Sequence, residues 1–271
     1  KLINTATKIS NFLLKFNIDI RRKLFKQVLD GLGGKMRLII SGGAPLDKNV
    51  SIKFNELGVR LIQGYGLTET SPVISAENDK YIRNGSVGFP MRHLTVEIVN
   101  KDKDGIGEVR VKGPNIMMGY YENEEATNKV LKDGWFYTGD LGYIDNDGFL
   151  FLTGREKDVI VMKNGKKVFP EELEVLVNNL PVEECFIYGM AQKGDKNDPM
   201  VSVKIVYNKD AIINRSEDEL YDILWNEVKE INKTLPPYKY IKNMIITDEP
   251  LIKTTTHKIK RKEELALIEG K

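Results

Sequence analysis

The chain has 271 residues, 41% of them apolar, which is enough for two folded domains with ordinary cores. Its 41 basic and 39 acidic residues nearly cancel, which argues against a nucleic-acid-binding charge pattern or an acidic tail. No apolar run reaches the length of a bilayer span and no signal-peptide pattern opens the chain, so a soluble, cytoplasmic protein is expected, with peripheral membrane contact left open.

In chain order, Ile9, Phe12, Phe16, Ile20, Leu24 and Val28 recur at helical spacing before Gly31, Gly33 and Gly34, and predict one helix followed by a turn. Met36 to Ile40 reads as a strand, Leu46 to Leu57 as a helix closed by Gly58, and Val59 to Gln63 as a second strand. Strand, helix and strand at this length form a βαβ unit, whose parallel strands put the loops after Ile40 and Gln63 at one edge. From about Gly85 to Thr153 the runs Leu94 to Val99, Gly107 to Lys112 and Phe149 to Thr153, with turns at Asp104-Gly105 and Asp147-Gly148, predict a small antiparallel sheet or barrel. Beyond Lys157 a helix from Pro170 to Leu180, strands near Phe186 to Met190 and Met200 to Tyr207, a helix from Ser216 to Leu235 and a strand from Met244 to Thr247 predict an α+β domain. The single cysteine, Cys185, sits in the run Cys185-Phe186-Ile187-Tyr188 and reads as a buried thiol in a reducing compartment.

Two Gly-rich segments meet at the edge of the βαβ unit. Ser41-Gly42-Gly43-Ala44-Pro45-Leu46 is by itself a tight turn, although its glycines also allow the backbone to lie against a base or a phosphate. Gly64-Tyr65-Gly66-Leu67-Thr68-Glu69-Thr70 adds hydroxyls and a carboxylate, the hard oxygens that suit a magnesium-bound triphosphate. In Gly134-Trp135-Phe136-Tyr137-Thr138-Gly139-Asp140 the acid either marks a Gly-Asp turn or accepts the two hydroxyls of a ribose. His93 and His257 have no second histidine or cysteine at metal-ligand spacing. The basic cluster Lys258, Lys260, Arg261 and Lys262 lacks aromatic neighbours for base stacking, so it reads as a solvated helix end and no nucleic-acid partner is expected.

The two loops are followed in order by Gly107 to Asn115, Met118-Gly119-Tyr120-Tyr121, Gly134 to Asp140, Gly154-Arg155-Glu156-Lys157-Asp158, Val168-Phe169-Pro170-Glu171-Glu172, and Lys253-Thr254 with Lys258. This series resembles the acyl-adenylate-forming superfamily of acyl-CoA synthetases, luciferases and peptide-synthetase adenylation domains, over nearly the whole chain. The resemblance implies an α/β and α+β protein. Residues 1–84 would be the remainder of a large N-terminal α/β domain, 85–156 its β-barrel-like subdomain, and 157–271 a C-terminal α+β lid domain. It further implies that Gly42, Gly43 and Ala44 lie along adenine, that Tyr65 beside Gly66 stacks on it, and that Thr68 approaches the α-phosphate. Glu69 would ligate Mg2+, Asp140 would hold the ribose hydroxyls, Arg155 the ribose or phosphate, and Gly165 would line the path of the pantetheine arm. Lys157 would be the hinge and Lys258 the lysine of the adenylation step. ATP, Mg2+ and coenzyme A follow as cofactor and cosubstrates, with a carboxylic acid as substrate.

The sequence departs from the family's pattern in three places. No Ser/Thr/Gly-rich loop ending in lysine occurs, and the chain starts at Lys1, which together predict a truncated and by itself inactive piece. In the terminal block Ile252 and His257 replace a proline and a glycine. The stretch from Arg155 to Gly165 is one residue longer than in acetyl-CoA synthetases and, with Lys163-Asn164-Gly165-Lys166, resembles the long-chain fatty acid branch. A non-catalytic nucleotide-binding fragment, and transfer to a carrier protein instead of CoA, are the competing readings; acyl chain and oligomeric state are not legible.

Overall fold

The apolar series from Ile9 to Val28 does not form one helix. In the computed structural model, which describes residues 2–192, 195–208 and 216–270, it is split into α1 (Leu2–Leu14), α2 (Arg21–Leu24) and α3 (Lys26–Gly31). Asn17 adopts a left-handed φ of 60°, and the Asp19 carboxylate accepts the Arg21 N–H at 3.0 Å, so the intervening residues satisfy their backbone locally instead of continuing the helix. The predicted stripe is not a core either. Phe12 and Phe16 are 59% and 63% exposed, and Ile9, Leu24 and Val28 are exposed with them, while Phe25 and Leu29 are buried.

The chain divides into two compact units, Lys1–Leu152 and Thr153–Lys271. In the first, β1 (Leu38–Ser41) and β2 (Arg60–Gly66) run parallel, in register from Leu38 opposite Arg60 to Ser41 opposite Gln63. Between them lies α4 (Lys48–Glu56), capped by the Asp47 carboxylate, which accepts the Asn49 N–H at 2.7 Å, and stopped at Gly58, whose φ of 86° only glycine adopts without strain. This is the expected βαβ unit, but β2 is longer than expected. Gly64, Tyr65 and Gly66 belong to the strand and pair antiparallel with β3 (Val73–Ala76), which in turn pairs with β4 (Phe89–Pro90).

The β-rich stretch forms a second, antiparallel sheet. It contains β5 (Thr95–Val99), β6 (Gly107–Lys112), β7 (Leu131–Lys132), β8 (Trp135–Ile144) and β9 (Leu150–Arg155), in the order β5-β6-β8-β7 with β9 also on β8. The turns fall at the predicted Asp-Gly pairs, with Gly105 and Gly148 at φ of 78° and 89°. A short helix, α5 (Glu124–Val130), precedes β7 and is capped by Asn123, which accepts the Ala126 N–H at 3.0 Å. Tyr65, Ile74 and Val87 join Val109, Val111 and Leu150 in one apolar cluster, so the two sheets share a core.

The second unit holds a hairpin of β10 (Ile160–Val161) and β11 (Lys167–Val168), then α6 (Pro170–Val177), β12 (Glu184–Gln192), β13 (Asp195–Val206), α7 (Glu217–Lys233), β14 (Asn243–Thr247) and α8 (Arg261–Ile268). Strand β12 is antiparallel and β14 parallel to β13. Pro170 at the first turn with Glu171 and Glu172 starts α6, and a reciprocal Ser216–Glu219 capping box starts α7. Leu173, Val177, Ile187, Val203, Ile205 and Leu224 are buried between these helices and the sheet. Cys185 is buried as expected, its thiol directed at the Glu174 carbonyl oxygen at 3.6 Å, and burial raises its pKa. Among the described residues no helix is long and apolar enough to cross a membrane.

Candidate active site

Where β1 ends beside β2, and along the rest of β2, glycine has a local reason at three positions. A Cβ on Gly42 would lie 3.2 Å from the Gly64 carbonyl oxygen, Gly43 has φ of 85°, and a Cβ on Gly66 would come within 1.7 Å of the Pro72 carbonyl oxygen. Gly66 is thus held by chain packing where β2 bulges against β3. Gly42 and Gly43, followed by exposed Ala44, line the sheet edge that open α/β sheets use for ligands.

Asp140 reaches this region from β8. Thr138 donates its hydroxyl to the Val109 carbonyl at 2.7 Å, Gly139 turns left-handed at φ 69°, and the pairing of β6 with β8 shifts register between Glu108 and Arg110. The bulge re-aims Asp140 into the interior, where the residue is 6% exposed and its Oδ2 accepts the Tyr65 hydroxyl at 2.6 Å. The predicted Gly-Asp turn is therefore a strand with a bulge. Tyr65 is itself 9% exposed and lies in the apolar cluster, so most of its ring faces the core and its hydroxyl orients the acid. A carboxylate has several acceptor sites, and the hydroxyls of a sugar are donors of the kind it takes.

Past Gly66 the chain forms a 3₁₀ turn at Thr68–Thr70. Thr70 is buried, and its hydroxyl donates to the Pro72 carbonyl at 2.7 Å. Thr68 is exposed. Glu69 is half-buried, and its Oε1 accepts the Tyr120 hydroxyl at 2.9 Å, while its carbonyl accepts the Met117 N–H at 2.8 Å. Tyr120 belongs to the block Met118 to Tyr121, and nothing in the sequence alone linked it to Glu69. A divalent cation fits here only in one form. Among the described residues no three acidic, histidine or cysteine side chains cluster, so Mg2+ would rest on one or two protein oxygens such as Glu69, with phosphate oxygens completing its shell.

In the second unit, Arg155 ends β9 and the exposed Lys157 lies in the 3₁₀ turn Glu156–Asp158. Gly165 occupies the tip of the β10–β11 hairpin at φ 75°, with its N–H donated to the Met162 carbonyl at 2.8 Å, so the turn by itself requires glycine. Lys258 sits in a tight turn. Thr254 and Lys258 are joined by the Thr254 N–H to Lys258 carbonyl bond at 2.8 Å and by the Lys258 N–H to Thr254 Oγ1 bond at 3.1 Å. His257 takes φ of 60° in this turn, the conformation that makes glycine the easier residue there. Lys253 pairs with Glu184 and Lys260 with Glu263, whereas Lys258 is exposed and, among the described residues, has no ion-pair partner. The basic cluster is not uniformly solvated. Arg261 is drawn inward to Glu174 at 2.5 Å, which corrects its reading as one more surface cation.

A glycine-lined parallel sheet edge, a buried acid presented by a bulge and a half-buried glutamate are the parts from which nucleotide-using enzymes of the α/β class are built. Comparison with known proteins narrows that class. The family profile described as AMP-binding enzyme matches residues 2–121, and that described as AMP-binding enzyme C-terminal domain matches residues 157–269. The chain belongs to the AMP-binding enzyme family. It is 37% identical over 238 residues to a probable 4-coumarate–CoA ligase 2 of Dictyostelium discoideum, covering 84% of this chain and 41% of that protein. It is 39% identical over 172 residues to a long-chain-fatty-acid–CoA ligase of Mycobacterium tuberculosis, covering 63% of this chain and 28% of that one. Among solved structures, the O-succinylbenzoate coenzyme A synthetase of Bacillus subtilis in complex with ATP and magnesium ion superimposes with a TM-score of 0.69 at 28% identity, over 90% of this chain and 50% of the other. The chain spans less than half the length of these two curated relatives.

Proposed function

We propose that this chain carries the nucleotide half-site and the C-terminal unit of an AMP-forming ligase. The whole protein would activate a fatty acid, long-chain by preference, and pass it to coenzyme A. The observation that carries this reading is the buried Asp140, fixed by Tyr65 at 2.6 Å beside the Gly42–Gly43 edge, in a chain of the AMP-binding family. In the first half-reaction the substrate carboxylate attacks the α-phosphorus of ATP, the bond to the bridging oxygen breaks and pyrophosphate leaves. In the second the CoA thiolate attacks the acyl carbon and AMP leaves. Asp140 accepts the ribose hydroxyls, Gly42, Gly43 and Ala44 flank the base, and Glu69 with Thr68 serves magnesium and the phosphates. Arg155 contacts ribose or phosphate, and Lys157 is the pivot between the half-reactions. Gly165 leaves room for the pantetheine arm, and Lys258 stabilises the charge that gathers as the acyl–phosphate bond forms.

Long-chain preference rests on the Lys163 to Lys166 segment and on the similarity to the mycobacterial ligase, while a comparable similarity to a coumarate ligase marks the rival. Pyrophosphate release by the full-length polypeptide, measured over a panel of carboxylic acids, tests both. Highest rates with long-chain acids and thioester formation with CoA support the proposal. An aromatic acid outrunning the fatty acids would overturn the substrate assignment, and release with no acid at all would overturn the reaction. The 271-residue chain alone is expected to stay at background. In it the apolar side chains Ile9, Phe12, Phe16, Val28 and Ile40 are all exposed, and the acyl pocket would draw on further chain.

A further inference from the structure

The C-terminal helix α8 is tied down by a buried and a half-buried charged group that the proposed chemistry does not use. Glu264 is fully buried; its carboxylate accepts the Lys204 ammonium at 2.9 Å and the Ile252 N–H at 2.5 Å. Arg261, at the first turn, donates to Glu174 Oε2 at 2.5 Å and to the Ile187 carbonyl at 3.1 Å. Its Nε lies 3.7 Å from Asp158 Oδ2, and the guanidinium stands over the Phe186 ring at 5.3 Å. One side chain thus links α8 to α6, to β12 and to the 3₁₀ turn that contains Lys157.

These anchors bracket the Lys258 turn. Its incoming strand is fixed at Ile252 by Glu264, its two arms are bridged at Lys253 and Ile259, the Lys260 N–H bonds the Ile252 carbonyl at 2.8 Å, and its outgoing end is fixed at Arg261. The turn is polar and its tip is exposed, but its base is clamped. We infer that Arg261 is a positioning residue for Lys258, holding the lysine-bearing turn in fixed geometry against the Asp158 turn next to Lys157. The inference rests on the adenylation role proposed for Lys258. Glu174 and Asp158 face the guanidinium, Glu171 adds to the same negative field, and together their charge outweighs burial in raising its pKa, so the cation is permanent. A planar fork is also what Glu174, the Ile187 carbonyl and Asp158 require, lying as they do on different elements; lysine supplies a point charge in its place.

The test is a double-mutant cycle in the full-length polypeptide, with both half-reactions measured for Arg261→Gln, Arg261→Lys, Lys258→Ala and the Lys258→Ala/Arg261→Gln pair. Arg261→Gln should slow adenylation about tenfold to a hundredfold, since a shift of an ångström in a charged group has that effect. Arg261→Lys should fall between it and the parent, and thioester formation from supplied acyl-adenylate should stay within about twofold of it. In the Lys258→Ala background Arg261→Gln should add no further loss. Additive losses, or equal losses in both half-reactions, would overturn the positioning role. Should Lys258→Ala leave adenylation intact, the proposed function fails at that residue; should it abolish adenylation while Arg261→Gln has no effect, only the present inference fails. A second readout uses the 271-residue chain. Amide hydrogen exchange at His257 and Lys260 should accelerate about tenfold or more in Arg261→Lys with β14 unchanged, and unaltered exchange at both amides would equally contradict the inference.

Discussion

Tyr65→Phe isolates the contact on which the candidate site depends. The substitution keeps the ring in its apolar cluster and removes only the hydroxyl that donates to Asp140 at 2.6 Å. Both residues are buried, so the carboxylate loses a charge-assisted bond that water cannot readily replace, and the expected loss is about 1.5–3 kcal/mol. For a unit of this size that corresponds to a fall in melting temperature of roughly 3–12 °C. The two tryptophans give a clean assay, since Trp135 lies on β8 of the first unit and Trp225 on α7 of the second. In a Trp225→Phe background, urea unfolding followed by Trp135 fluorescence reports the first unit alone. A loss below about 0.5 kcal/mol, the range of ordinary surface changes, would refute the view that Tyr65 holds Asp140 in place.

His257→Gly should stabilise the second unit by about 1 kcal/mol, because the left-handed φ of 60° strains any side chain with a Cβ; urea unfolding followed by Trp225 fluorescence measures it, and destabilisation would contradict the turn. Glu171 gives a pH prediction. Burial holds its pKa above the ordinary 4.5 despite the opposing pull of Arg261, and among the described residues its Oε2 is buried without a hydrogen-bond partner. The folded state therefore binds the extra proton, so this group favours folding below pH 4.5 and its contribution is lost as pH rises through the raised value. Glu171→Gln should flatten that decline and leave the protein more stable than the parent at pH 7, though not at pH 4, in parallel thermal melts.

The βαβ unit was legible because the periodicity from Leu46 to Leu57 and the stop at Gly58 agree with one another. The first helix misled because its stripe, Phe12 and Phe16 included, stays exposed, and the Asn17–Asp19 break carries too weak a signal to interrupt a strong periodicity. Strand β8 was hidden for the opposite reason: Gly139 and Asp140 look like a turn, and only the register shift opposite Glu108 to Arg110 makes them a bulge within a strand. Helix α8 read as a solvated helix end since the groups that hold it inward are Glu264 and the half-buried Arg261, and side chains held by pairing with distant partners leave no apolar pattern. The glycines and acids of the candidate site were singled out by motif order, whereas the Tyr65–Asp140 and Tyr120–Glu69 bonds join residues far apart in sequence.

The most direct measurement is the effect of Lys258→Ala on the two half-reactions of the full-length polypeptide, observed separately. The exposed ammonium, carried on a clamped turn, is assigned to the charge that develops between carboxylate and α-phosphate. Adenylate formation should therefore slow about a hundredfold to a thousandfold, while thioester formation from supplied acyl-adenylate and CoA stays close to normal. A larger loss of adenylation in Lys260→Ala, or a parallel fall of both half-reactions in Lys258→Ala, would contradict the account.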